Sequence, residues 1–171
     1  MCGALVRLHE RERALAAFEW FFAARRPQPW NQWTEVVTRD AVTPRFIGDL
    51  PHGWVASDFL RAALDLYSYD DTASGTVVLG AGLPALWLQG QGVTVSHLMT
   101  AWGPLSYRAR RVAAGIDLIV LEVPAAPAGL ILEFPGVPAD ATARVDGVRT
   151  PTDHRRLSLR QSAHHILLES D

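Results

Sequence analysis

The spacing of hydrophobic residues changes once along the chain, from a helical period to a period of two. Between residues 4 and 25, apolar side chains recur at helical spacing while most charged residues lie elsewhere. The members of this apolar stripe are Leu5, Leu8, Leu15, Phe18 and Phe22. We predict one amphipathic helix here, which ends before Pro27 because the residue that precedes a proline disfavours helical geometry.

A second helix is predicted over residues 51 to 68. Asp49 is the expected N-cap, since its carboxylate can accept a hydrogen bond from the first helical turn. Pro51 lies in that turn, where its missing N–H leaves no bond unmade. The apolar face of this helix consists of Val55, Phe59, Ala62 and Leu66.

In the rest of the chain, apolar and polar residues alternate as they do in β-strands. Leu105, Tyr107 and Ala109 are interleaved with polar or charged residues. The pair Asp146-Gly147 has the sequence of a two-residue hairpin turn. We count about seven or eight short strands, which favours an antiparallel β-sandwich.

The predicted fold class is therefore α+β, with an N-terminal helical hairpin over residues 1–72 and an antiparallel β-sandwich over residues 73–171. Trp20, Phe21 and Phe22 are consecutive, so the helical part carries apolar residues on more than one face. A lone hairpin cannot bury that surface. Either the helices pack on the sandwich, or the chain is a piece of something larger.

Composition excludes several classes of function. The chain has 171 residues, 49% of them hydrophobic and 20% charged, so it should fold around a core. Its net charge of -2 gives no reason to expect nucleic-acid binding. The single cysteine, Cys2, excludes an intrachain disulfide and a cysteine-based zinc site. The charged N-terminus resembles neither a signal peptide nor a membrane span, so we expect a cytoplasmic chain if Met1 is the true start.

The candidate chemistry lies between residues 29 and 71, around the loop that joins the two helices. An indole can stack on the apolar face of a sugar ring, while charged or amide groups hold the hydroxyls. Three tryptophans, two carboxylates and a histidine make this combination, which predicts a carbohydrate-binding site. The candidate residues are Trp30, Trp33, Glu35, Asp49, His52 and Trp54.

Each candidate also has a purely structural interpretation. The tryptophans can fill a core, since Trp is highly buried on average. Glu35 can pair with Arg39 or Arg45 at the surface. Asp49 can act only as a helix cap, and His52 can be an ordinary hydrogen-bonded loop residue.

Two apparent motifs do not predict a function. Residues 80–85 match the dinucleotide pattern G-x-G-x-x-G/A, but the helical stretch that follows is short and the expected acidic residue is missing. We interpret this segment as a strand, a turn and one helical turn that bears Trp87. His164 and His165 are adjacent in a strand, so they point to opposite faces and cannot readily chelate one metal ion. We predict no metal and no cofactor.

The order of segments resembles the end of a bacterial (α/α)6-barrel glycoside hydrolase followed by its C-terminal β-sandwich. The residues that carry the resemblance are VVLGAGLP at 77–84, ALWLQG at 85–90 and the strand-rich stretch 92–111. The segment W-x-E at 33–35, followed by G-D-x-P-H-x-W at 48–54, is similar to the α-L-rhamnosidase-like clan. In that clan the Trp and the Glu are adjacent, whereas Thr34 separates them here.

The resemblance implies that residues 1–72 are the last helices of a toroidal barrel and that Glu35 is the general base of a glycosidase, most often an inverting one. It also implies that His52 is the polar residue before the final helix, and that the general acid lies in upstream sequence. The expected partners are a carbohydrate substrate and the remainder of the barrel, and the chain alone is expected to be inactive. The alternative is a non-catalytic carbohydrate-binding module, with Trp87 and Trp102 as its binding residues, or a structural accessory module.

Overall fold

The computed structural model describes residues 1–25, 28–36, 47–138, 140–152, 156–159 and 163–169. The helices are α1 (Cys2–Arg7), α2 (Arg11–Ala23) and α3 (Gly53–Tyr67), with 3₁₀ turns at Gln28–Trp30 and Ala85–Leu88. The strands are β1 (Ser68–Asp71), β2 (Thr76–Leu79), β3 (Val93–Thr100), β4 (Gly103–Val112), β5 (Gly115–Glu122), β6 (Leu130–Leu132), β7 (Ala143–Val145), β8 (Val148–Thr150), β9 (Arg156–Leu157) and β10 (His164–Glu169).

The chain divides into two compact units, Met1–Asp65 and Leu66–Asp171. The division falls inside α3, earlier than the boundary that we predicted after residue 72. The first unit is helical, and the described strands all belong to the second. This arrangement confirms the predicted α+β class, with helices followed by largely antiparallel sheets.

The first predicted helix is wrong as a single element, because it is two helices joined at Leu8–Glu10. His9 adopts a left-handed conformation with φ 60. Its N–H donates to the carbonyl of Val6 at 3.0 Å, and the Glu10 N–H donates to the carbonyl of Leu5 at 2.9 Å. These two bonds form a Schellman motif, which ends α1 and lets Glu10 begin α2.

Helix α3 begins at Gly53, so the expected cap at Asp49 is also wrong. His52 takes that role, since its Nδ1 accepts a hydrogen bond from the Val55 N–H at 3.3 Å. The predicted apolar face is confirmed by the burial of three of its members, Phe59, Ala62 and Leu66.

The second unit contains a four-stranded sheet in the order β1-β2-β6-β9 and a six-stranded sheet in the order β3-β4-β5-β10-β7-β8. All the pairings are antiparallel except β2 with β6. The predicted inward residues of β4, Leu105, Tyr107 and Ala109, are buried. Asp146 and Gly147 have φ 51 and φ 83, the left-handed pair that a tight hairpin turn requires, and they join β7 to β8.

Tyr107 is the largest side chain that is fully buried in the core of the second unit. Its hydroxyl donates a hydrogen bond of 2.9 Å to the carbonyl of Tyr67, the last residue of α3. Burial raises the pKa of Tyr107 well above its ordinary value, so the hydroxyl stays protonated and keeps donating. The ring meets Phe134 edge to face with centroids 6.4 Å apart. A buried polar atom is thus satisfied inside an otherwise apolar core.

A network of charged side chains links three strands on the six-stranded sheet. Asp117 on β5 accepts from Arg110 of β4 at 2.9 Å and pairs with the Nε2 of His165 on β10 at 2.6 Å. Partial burial raises the pKa of Asp117, but the hydrogen bonds from His165 and Arg110 outweigh it and hold the pKa below its ordinary value. The charged carboxylate therefore stabilises the folded state.

We expect the pH dependence of stability to expose this carboxylate. A group whose pKa is lowered by folding stabilises the protein above its unfolded pKa, about 4 for Asp, and that contribution is lost as the pH falls. Replacement Asp117→Asn should therefore lower the free energy of unfolding at pH 7, and should make its decline between about pH 5 and pH 2 less steep than in the wild type. Urea unfolding at several pH values measures both effects. Asp58→Asn, which changes an exposed carboxylate, is the matched control, and equal slopes for wild type and Asp117→Asn would contradict the assignment.

Candidate functional site

Backbone hydrogen bonds bring four of the six predicted site residues together in the first unit. The Glu35 N–H donates to the carbonyl of Asp49 at 3.1 Å, and the His52 N–H donates to the carbonyl of Trp33 at 3.0 Å. The two ends of the loop therefore lie side by side, immediately before α3. The segment between them includes Arg39 and Arg45, which lie outside the described residues together with their suggested pairing to Glu35.

Trp33 lies in the core of the first unit, with 7% of its surface exposed. Its indole stacks on the ring of Phe59 with centroids 4.4 Å apart, and Phe21 meets it edge-on at 5.6 Å. The indole N–H donates to the carbonyl of Phe21 at 2.8 Å. Stacking and hydrogen bonding together hold the start of the loop against α2 and α3.

The other two predicted tryptophans lie at the surface. Trp30 is 61% exposed at the end of a 3₁₀ turn, and Trp54 is 74% exposed in the first turn of α3. Exposed indoles of this kind are unusual, because Trp is highly buried on average. Each offers an apolar surface to a ligand, in contrast to the packed ring of Trp33.

Glu35 is an exposed residue, and its side chain packs over Gly48. Gly48 has φ +66, and a Cβ at this position would overlap the Glu35 side chain. Glycine is therefore required at position 48 for two reasons: the backbone conformation and the close approach of the Glu35 side chain. Asp49, the next residue, is also exposed.

His52 has one of its two ring nitrogens engaged. Because Nδ1 accepts the hydrogen bond that caps α3, the imidazole is held at the start of the helix. The ring is half-buried, and it lies one residue from the exposed turn that carries Trp54. The arrangement can offer a carboxylate, an imidazole and an indole to a polar ligand from one short stretch of chain.

One buried charged residue in the first unit was not selected as functional from the sequence. Asp65 lies seven positions after Asp58 on α3, and pairs with that spacing are mostly solvated. In the structure Asp65 is buried, and its two carboxylate oxygens accept from the two terminal nitrogens of Arg7 at 2.9 and 3.2 Å. The available signal was its position next to Leu66, at the edge of the apolar face, where a carboxylate requires a partner.

Within the described ranges, no group of three or more His, Cys, Asp or Glu side chains could hold a metal ion. His164 and His165 have different partners, Asp146 at 2.8 Å and Asp117 at 2.6 Å. None of the helices in the described part of the chain is long and apolar enough to cross a membrane.

Comparison of the chain with protein-family models, curated proteins and solved structures finds no match. Its function must therefore be inferred from the chemistry of its own residues. The features that bear on function are the exposed carboxylate and indoles around the loop and the buried core that holds the loop in place.

We expect two tryptophans of this site to differ sharply in their effect on stability. Trp33→Ala removes a buried ring and a hydrogen bond, and should lower the free energy of unfolding by about 3–5 kcal/mol. Trp54→Ala removes an exposed ring, and should change it by less than about 0.5 kcal/mol. Urea unfolding followed by circular dichroism measures both values. A loss for Trp54→Ala as large as that for Trp33→Ala would show that Trp54 is packed.

Proposed function

We propose that this chain is the C-terminal portion of a glycoside hydrolase that acts on a plant or microbial polysaccharide or oligosaccharide. The observation that carries the proposal is the exposed residue Glu35 on the hydrogen-bonded loop that leads into α3. That loop also presents Asp49 and His52, and α3 opens with the exposed indole of Trp54. A carboxylate beside hydroxyl-binding groups and an indole supplies one of the two carboxyl groups of a glycosidase and side chains that suit sugar binding.

In the proposed reaction, Glu35 removes a proton from the water that attacks the anomeric carbon. The bond from that carbon to the leaving oxygen breaks, and a carboxylic acid from upstream sequence protonates the leaving oxygen. Inversion by this route requires the two carboxyl groups to lie about 6.5–9.5 Å apart, so that the water fits between them. The exposure of Glu35 supports this role because a general base must reach solvent or substrate.

The remaining loop residues would bind the sugar. Trp30 and Trp54 would stack on its apolar face, while Asp49 and His52 would hold its hydroxyls. Trp33 would have a positioning role, because its packing on α2 and α3 fixes the segment that carries Glu35.

The remainder of a barrel is the proposed partner of the helical unit. Leu60 and Leu64 are one helical turn apart on α3, and both are exposed. They form an apolar surface that suits packing against further helices, and Phe22 on α2 is another exposed apolar residue of the helical unit. Upstream helices would cover these residues and supply the general acid.

The activity of Glu35 variants tests the proposal. We expect residues 1–171 alone to release no sugar from an aryl α-L-rhamnoside or from plant pectin, because the acid is absent. The longer chain, expressed with its upstream coding sequence, should hydrolyse one of these substrates. In that chain Glu35→Gln should lower kcat by about 10²- to 10⁴-fold, the usual contribution of a general base.

Glu12→Gln, a change at another exposed glutamate, is the matched control and should keep full activity. Hydrolysis by residues 1–171 alone would overturn the division of the acid and base between the two parts of the chain. Full activity of Glu35→Gln would overturn the role of Glu35.

A second candidate function is a non-catalytic carbohydrate-binding module formed by the second unit. It is favoured by Trp87, which is 37% exposed and stacks on Tyr67 with centroids 5.9 Å apart. Trp102, the other candidate, packs against the core and is only half-buried. In this case Glu35 would have no catalytic role.

Sugar titrations separate the two candidates. Tryptophan fluorescence of the 171-residue chain is followed during addition of oligosaccharides released from pectin. If the loop binds the sugar, Trp54→Ala should abolish the fluorescence change that arises at the loop. Trp87→Ala should leave that fluorescence change unchanged. The reverse pattern, with the response lost only in Trp87→Ala, would favour the module.

A further inference from the structure

A cleft of about 350 Å³ lies between the three helices of the first unit. None of the six candidate residues of the loop is among the residues that line it. Its volume falls within the range of about 300–1,000 Å³ that is typical of small-molecule sites. Its lining residues come from three separate helices, so no local pattern in the sequence indicates the cleft.

The floor of the cleft is the ion pair between the half-buried Arg7 and the buried Asp65. The side chain of Asp65 is 7% exposed, and the two residues are joined by two hydrogen bonds of 2.9 and 3.2 Å. Arg7 also donates to the carbonyl of Gly3 at 3.2 Å. A Cβ on Gly3 would overlap the Asp65 carboxylate, so glycine lets α1 approach this pair closely. The floor is therefore polar, ordered and built from two helices.

The wall of the cleft is apolar, and its rim is charged. Trp20 on α2 is 57% exposed and lies beside Phe21, which also lines the cleft. Asp58 and Arg61 on α3 are exposed and occupy the rim. The lining therefore combines an exposed indole with donors and acceptors, as in a site for a molecule with one apolar and one polar face.

The charges of the lining decide which chemical class fits. Among the side chains that line the cleft, Arg7 and Arg61 are positive and Asp58 and Asp65 are negative, so the side-chain charges cancel. A balanced lining has no net attraction for an anion or a cation. It offers guanidinium donors together with carboxylate acceptors, which suit a neutral molecule that carries several hydroxyl groups.

We propose that this cleft is a second, non-catalytic binding site for a neutral pyranose ring. The sugar lays its apolar face on Trp20, and its hydroxyls bond to Asp58 and Arg61 at the rim. The Arg7–Asp65 pair holds α1 against α3 and forms the polar floor. This site does not depend on the proposed role of Glu35, since it shares no residue with the loop.

Binding of simple methyl pyranosides tests the proposal. The 171-residue chain is titrated with methyl α-L-rhamnopyranoside and methyl α-D-glucopyranoside. The indole N–H signal of Trp20 and the backbone amide signals of the other cleft residues, which remain in the Trp20 variants, are followed by two-dimensional NMR. We expect the Trp20 signal to shift with at least one probe. Trp20→Ala should weaken that binding by about tenfold, and Trp20→Phe, which keeps an aromatic face, by only about threefold. Asp58→Asn should weaken it by about threefold through the loss of a charged acceptor.

Met99→Ala is the control, because it removes an exposed apolar side chain of the second unit, outside the cleft, and should leave the Trp20 shift unchanged. The same NMR spectra establish that each variant is folded. Absence of a Trp20 shift with either probe, or unchanged binding in Trp20→Ala, would overturn the proposal. Binding of D-glucuronate or D-glucosamine about tenfold more tightly than the neutral probes would overturn the ligand class instead. Since Glu35 takes no part in these titrations, their failure would leave the glycosidase proposal standing.

Discussion

Trp33 stacks on Phe59 with ring centroids 4.4 Å apart, and this contact joins the candidate loop to the helices that support it. Phe59 also meets Phe18 and Phe21, at 5.0 and 5.4 Å, so rings from α2, α3 and the loop form one cluster. The carbonyl of Trp33 then accepts the N–H of His52, the residue that caps α3. The same tryptophan therefore fixes the loop to the core and to the start of the helix. The positions of Glu35 and Trp54 follow from it, since both lie within two residues of these anchored points.

Local patterns predicted the alternation within strands such as β4, but not the break between α1 and α2. They also did not predict the number of strands, which is ten in the described residues rather than seven or eight. The alternation at Leu105, Tyr107 and Ala109 reports burial directly, because adjacent residues of a strand face opposite sides. The break at His9 has neither of the usual signals, since no glycine or proline lies there. The apolar spacing continues across it, so a helix of one piece and two helices have the same pattern. The cost of a left-handed histidine is offset by two backbone hydrogen bonds that the sequence does not reveal.

The sequence was sufficient to predict where along the chain the candidate residues lie, but not how their side chains are arranged. Its residues are close in sequence around one loop, so their proximity needed only the loop to close. Which tryptophan is buried was not predictable, because the burial of Trp33 depends on Phe21 and Phe59 from two helices. The pairing of Asp65 with Arg7 was also not predictable from local sequence patterns, since the two are 58 positions apart. Long-range contacts of this kind decide whether a carboxylate is solvated or buried. They cannot be predicted from the spacing of residues along the chain.

Helix α3 has a different chemical role on each side. Phe59, Ala62 and Leu66 are buried, while Leu60 and Leu64 form an exposed apolar face. A solvent-facing side of an ordinary surface helix would be polar, so the exposed leucines are consistent with a helix that has further neighbours. Trp54 and Arg61 lie on another side of α3. They are seven residues apart, or two helical turns, so they share this side at a separation of about 10 Å along the helix axis. The indole at the loop and the rim of the cleft thus face one direction. If both proposed sites bind sugar, a single helix orients them together, and rigid positioning by a packed helix is more precise than positioning by a loop.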